Sequence, residues 1–91
     1  MENLKEFEVV RKIKVKELLE SGSIIMRDYV FGGAKFKLYH RLKEKGYTDD
    51  DEIIIGWRHY FQRREVGGVY VHIVKAFDKD GNVIDFACDY D

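Results

Sequence analysis

The chain has 91 residues, 45% of them hydrophobic and 14% aromatic, with 16 Lys+Arg against 17 Asp+Glu and a formal net charge of −1. That length suits one domain, expected to span 1–91, whose core is too small to enclose a deep catalytic cavity. The apolar content excludes a disordered chain, and the near-neutral balance argues against a dedicated binder of nucleic acid or anionic lipid held by bulk charge.

The charge is unevenly placed. Residues 1–47 carry 11 Lys+Arg against 7 Asp+Glu, and residues 48–91 carry 5 against 10. Such an asymmetry marks an oriented binding surface unless folding interleaves the two halves. Cys88 is the single cysteine, so no disulfide forms within the chain and a reducing, cytoplasmic setting is expected. The charged start, Met1 to Glu6, lacks the apolar core of a signal peptide, and no apolar run exceeds three residues. No membrane association is expected from this pattern.

Residues 7–15 alternate, with Phe7, Val9, Ile13 and Val15 on one side and Glu8, Lys12 and Lys14 on the other. Period 2 predicts a half-buried strand, with Val10 and Arg11 as flaws and a helix over 2–21 as the alternative. A helical turn over 16–20 follows, and Ser21-Gly22-Ser23 breaks the chain. A second strand is expected at 24–31, ended by Gly32-Gly33. The main helix is expected at 34–45, with Phe36, Tyr39 and Leu42 on its apolar stripe, Leu38 beside it, and Gly46 closing it.

Residues 48–65 are ambiguous. Thr48 before Asp49, Asp50, Asp51 and Glu52 suits a helix N-terminus. Ile53, Ile55, Trp57, His59 and Phe61 alternate with Gly56, Arg58, Tyr60, Gln62 and Arg64, which suits a strand. Three consecutive β-branched residues and an interior glycine favour the strand over 53–64. Strands at 69–77 and 83–90 follow, joined by a hairpin turn at Asp78–Asn82. The last strand places Ile84, Phe86, Cys88 and Tyr90 on its apolar side and Asp85 and Asp89 on the other. The expected fold is therefore α+β, an antiparallel meander with one main helix. A winged-helix-like arrangement is the alternative if 49–64 is helical.

No motif specifies chemistry. Asp78–Asn82 resembles a calcium loop only superficially, because Gly81 is its fourth residue and an EF-hand loop needs glycine at its sixth. The run Asp49–Glu52 reads as a capped acidic loop. His59 and His72 would face each other on neighbouring strands, yet with Cys88 they fall short of a zinc ligand set. Cys88 reads as a buried small hydrophobe. The chain is expected to be non-enzymatic, with no cofactor.

What remains is a set of basic and aromatic residues. Lys35, Lys37 and Arg41 lie along the helix, and Arg58, Tyr60, Gln62, Arg63 and Arg64 lie in 58–64. Asp85 and Asp89 add exposed acidic groups on the last hairpin. Arginine and tyrosine are typical anchors of protein interfaces, and mixed charge gives complementarity. The first reading is a module that docks on a protein partner as an inhibitor or adaptor, as small phage or mobile-element proteins often do. DNA binding through a winged helix is the alternative, and an oligomeric small-ligand binder is a third.

Overall fold

The computed structural model describes residues 9–20 and 28–90, with side chains described from Arg11 in the first segment and from Gly33 in the second. Strand β1 is Val9–Lys14, and a 3-10 helix follows at Val15–Leu19. Helix α1 is Asp28–Glu44. Strands β2 (Glu52–Arg63), β3 (Gly68–Phe77) and β4 (Val83–Tyr90) complete the chain. The four strands form one antiparallel sheet in the order β1-β2-β3-β4, so the architecture is α+β. Helix α1 packs on β3, β4 and the 3-10 helix. No described helix is long and apolar enough to cross a membrane.

The strand at Glu52–Arg63 resolves the ambiguous segment. Ile53, Ile55 and Trp57 fall on the face toward α1 and are buried. Ile55 and Trp57 pair in register with Ala76 and Val74 on β3, and Ile53 with Ile13 on β1. Stiff β-branched side chains gain more from this pleated, two-sided packing than from a helix turn. The acidic run before it is not a helix cap. Asp51 Oδ2 accepts from the Thr48 N–H at 2.7 Å, and Asp49 Oδ1 accepts from the Tyr39 hydroxyl at 2.7 Å and Lys43 Nζ at 3.0 Å. These bonds tie the loop to the end of α1. The winged-helix alternative required a helix over 49–64 and falls with it.

Two other expectations change. Residues 28–31 are the first turn of α1 and not the end of a strand; residues 7, 8 and 24–27 of the expected N-terminal strands lie outside the described residues. The helix runs straight through Gly32-Gly33, each glycine costing about 1 kcal/mol against alanine. Gly33 has a packing reason, since a Cβ there would stand 2.5 Å from Asp89 Oδ2 on β4. The buried stripe of α1 is Ala34, Leu38 and Leu42, spaced i, i+4, i+8. Phe36, expected on that stripe, is 57% exposed.

At the far end, Gly46 takes φ 99° and Tyr47 N–H donates to the Leu42 carbonyl at 3.1 Å, closing the helix as expected. In the β3–β4 turn, Asp78 Oδ1 accepts from the N–H groups of Asp80 and Asn82, both at 2.9 Å, and Gly81 takes φ 84°. The Asp78 carboxylate is thereby occupied by backbone, which is what a turn needs.

The last strand faces the other way from its hydrophobic pattern. Asp85, Ala87 and Asp89 align with Ala76, Val74 and His72, whose side of the sheet lies under α1. Phe86, Cys88 and Tyr90 therefore point to the opposite face. The reason lies in the helix. Lys37, Arg41 and Lys45, again spaced i, i+4, i+8, stand over β4 and meet carboxylates there: Lys37–Asp89 at 4.0 Å, Arg41–Asp85 at 3.0 Å and Lys45–Asp85 at 3.9 Å.

Candidate functional site

Two surfaces collect the residues of interest. The first is the turn end of the β2–β3 hairpin. Among the described residues, β1 pairs with β2 no further than Val9↔Trp57, and β4 pairs with β3 no further than Val71↔Tyr90. Beyond those rows, the only pairing among the described residues is that of β2 with β3, which continues to Arg63↔Gly68. Residues 59–68 are all exposed. The turn closes with the Arg64 N–H on the Gly67 carbonyl at 3.1 Å, with Gly67 at φ 73°.

Alternation splits this arm into two faces. Arg58, Tyr60 and Gln62 lie on the side away from α1, with the Arg58 guanidinium 5.1 Å from the Tyr60 ring centroid. Phe61 and Tyr70 lie on the other side as a cross-strand pair, edge to face at 5.2 Å. Gly68 is needed beside them, because a Cβ there would run into the Phe61 ring. Arg63 and Arg64 are exposed at the tip. Tyr70 did not stand out in the sequence; the signal that finds it is the register Phe61↔Tyr70, which a strand over 53–64 and a turn at Gly67-Gly68 already imply.

The second surface is the seam between α1 and β4. A pocket of about 520 Å³ opens there, lined by Phe36, Lys37, His40, Arg41, Phe86, Ala87 and Cys88. Phe36 and Phe86 are its exposed aromatic residues, and the Lys75 ammonium sits 5.8 Å from the Phe86 ring centroid on the face of the sheet away from α1. The His40 ring stands edge to face with Phe36 at 4.5 Å and with Tyr39 at 5.4 Å. Lys37 Nζ donates to the Cys88 carbonyl at 3.2 Å, and Arg41 donates through Nε to Asp85 Oδ1. Asp85 Oδ1 also accepts from the Phe86 N–H at 2.8 Å. The outer edge of β4 is thus guarded by side chains at two points, a common defence of an edge strand against pairing with another chain.

The expected interface residues therefore separate. Arg58, Tyr60, Gln62, Arg63 and Arg64 come together on the arm. Lys37 and Arg41 come together at the pocket, with Asp89 and Asp85 as their partners inside the chain. Asp85 is 8% exposed and was expected on the surface; the cations of α1 draw it inward. Lys35 is 4% exposed and offers no charge to a partner. Cys88, expected to be buried, is a free, half-exposed thiol beside the pocket. His59 and His72 do face each other, with ring centroids 5.9 Å apart.

The electrostatic shifts among the described residues fall in two structural clusters. Hydrogen bonds from Tyr39 and Lys43 hold Asp49 below the usual carboxylate range, and the same bonds raise Tyr39 and Lys43. Backbone N–H groups, that of Asn82 foremost, hold Asp78 low. Neither cluster lies at the arm or the pocket. No protein-family model, curated protein or solved structure matches the chain.

Proposed function

We propose that this chain is a non-enzymatic binding module that docks on a protein partner through the β2–β3 arm, as an inhibitor or adaptor. The observation that supports the reading is the run of exposed residues 59–68 at the end of a hairpin whose pairing, among the described residues, runs past that of β1 and β4. Two-stranded arms present side chains from both faces at once, so they fit a cleft. This one offers Tyr60 on one face, Phe61 and Tyr70 on the other, and Arg63 and Arg64 at the tip. Aromatic and arginine side chains supply most of the binding energy at protein interfaces. Arg58, Arg63 and Arg64 outnumber Glu65, the only carboxylate in 58–70, so the partner's cleft is acidic. The free Cys88 thiol goes with a reducing, cytoplasmic setting.

The test is site-specific photo-crosslinking from Gln62 in the cell of origin, followed by capture with purified variants. Arg63→Glu with Arg64→Glu should abolish capture of the crosslinked protein, and Lys79→Glu on the β3–β4 turn should leave it intact. Equal loss from both variants, or none from either, sinks the reading. The arm's arginines also suit phosphates, so nucleic acid is the competing partner. Fluorescence anisotropy with a labelled duplex at low and near-physiological salt separates the two, because phosphate contacts weaken steeply with salt.

A further inference from the structure

The pocket between α1 and β4 has the chemistry of a small-ligand site, and it stands apart from the arm. Its volume of about 520 Å³ falls within the roughly 300–1,000 Å³ of small-molecule sites. Its aromatic lining residues are both exposed, Phe36 of α1 at 57% and Phe86 of β4 at 48%. Every ionisable side chain among its described lining residues, apart from the Cys88 thiol, is basic: Lys37, His40 and Arg41. The carboxylates that balance Lys37 and Arg41 belong to Asp89 and Asp85, which do not line it.

Donor capacity remains at the rim. Arg41 engages Asp85 through Nε, and its side chain is 54% exposed. A guanidinium has further N–H donors in a planar fork that matches an acid group, and among the described residues these have no acceptor. His40 contacts Phe36 and Tyr39 through its ring, and its nitrogens have no hydrogen-bond partner among the described residues. Anchoring by Asp85 fixes the Arg41 fork in place, which reduces the ordering cost on binding.

We propose that this pocket binds a small amphipathic organic anion, an apolar ring or short alkyl body carrying one acid group. The body lies along the edge of β4 against Phe36 and Phe86, and the acid group meets Arg41 and His40. Lys37 is held by the Cys88 carbonyl and closes one side.

The probe that tests this is 8-anilinonaphthalene-1-sulfonate, with uncharged N-phenyl-1-naphthylamine as its counterpart. Fluorescence titration should give one saturable site, with the sulfonate bound at least tenfold more tightly than the uncharged probe. Phe36→Ala and His40→Glu alter exposed side chains, leave folding intact, and should each weaken the sulfonate at least tenfold. Bound sulfonate should also slow alkylation of Cys88 by iodoacetamide several-fold. Equal affinity for the uncharged probe, an unchanged affinity in Phe36→Ala, or unprotected Cys88 would each overturn the assignment. Arm variants should leave all of these readings unchanged.

Discussion

Asp85 should be a costly charge to remove. Its Oδ1 accepts from the Phe86 N–H at 2.8 Å and from Arg41 Nε at 3.0 Å, and its Oδ2 lies 3.9 Å from Lys45 Nζ. The carboxylate is buried, while Arg41 and Lys45 are about half-exposed. Asp85→Ala loses a charge-assisted hydrogen bond, ordinarily about 1.5–3 kcal/mol, and a backbone one of about 1 kcal/mol. Water can return to Arg41 and to the edge N–H, which recovers part of that loss. The expected cost is about 2 kcal/mol, or roughly 8–16 °C in Tm for a domain of this size. Asp85→Asn keeps an acceptor for the Phe86 N–H and loses the ion pair, so its cost should be about half. Urea denaturation at neutral pH reads both, with an unchanged m-value as the sign that only native stability moved. An Asp85→Ala protein within about 0.5 kcal/mol of the parent would refute the idea that helix cations set which face of β4 turns inward. So would an Asp85→Asn protein as unstable as the alanine variant.

Other outcomes follow from the same packing. Leu38→Ala empties a fully buried site on the helix stripe and should cost about 2–5 kcal/mol by chemical denaturation. Gly33→Ala should fail to deliver the roughly 1 kcal/mol that alanine adds in a helix, because its Cβ meets the Asp89 carboxylate. In an Asp89→Ala background the gain should appear, and a double-mutant cycle measures the coupling. Asp49 gives a pH signature. Its folded pKa is depressed, so its contribution is full above the ordinary carboxylate value and is lost as pH falls through the folded one. Tyr39 and Lys43 are raised by the same bonds, so their contribution is full at neutral pH and is lost on going strongly alkaline. Asp49→Asn should flatten both limbs of a stability-against-pH curve; a curve parallel to the parent's would remove the cluster from the account.

Local rules sufficed for several parts of this fold. Turn chemistry placed Gly46, Gly67 and Gly81 at the ends of elements, and each takes a positive φ there. Alternation over 53–61 put Ile53, Ile55, Trp57, His59 and Phe61 on one face, of which the first three are buried and the last two exposed, and the pairing of His59 with His72 followed from the two hairpin strands. The clustering of Arg58, Tyr60, Gln62, Arg63 and Arg64 was equally legible, because one strand carries all but Arg64, which follows it directly.

Sequence alone determined the meander strands β2, β3 and β4, the turns and the composition of the arm, since these depend on neighbours within a few residues. The tertiary structure decided which face of β4 is inside and where α1 begins. Hydrophobic alternation assumes that the buried partner is apolar. Here the helix lays Lys37, Arg41 and Lys45 along β4, so Asp85 and Asp89 turn inward and Phe86, Cys88 and Tyr90 turn out. Gly33 marks a helix start only to a local rule; in the fold it lies against the Asp89 carboxylate, which a Cβ there would displace. The pocket exists because of both effects, with Phe36 from the helix and Phe86 from the strand left exposed on either side of a seam held by charge.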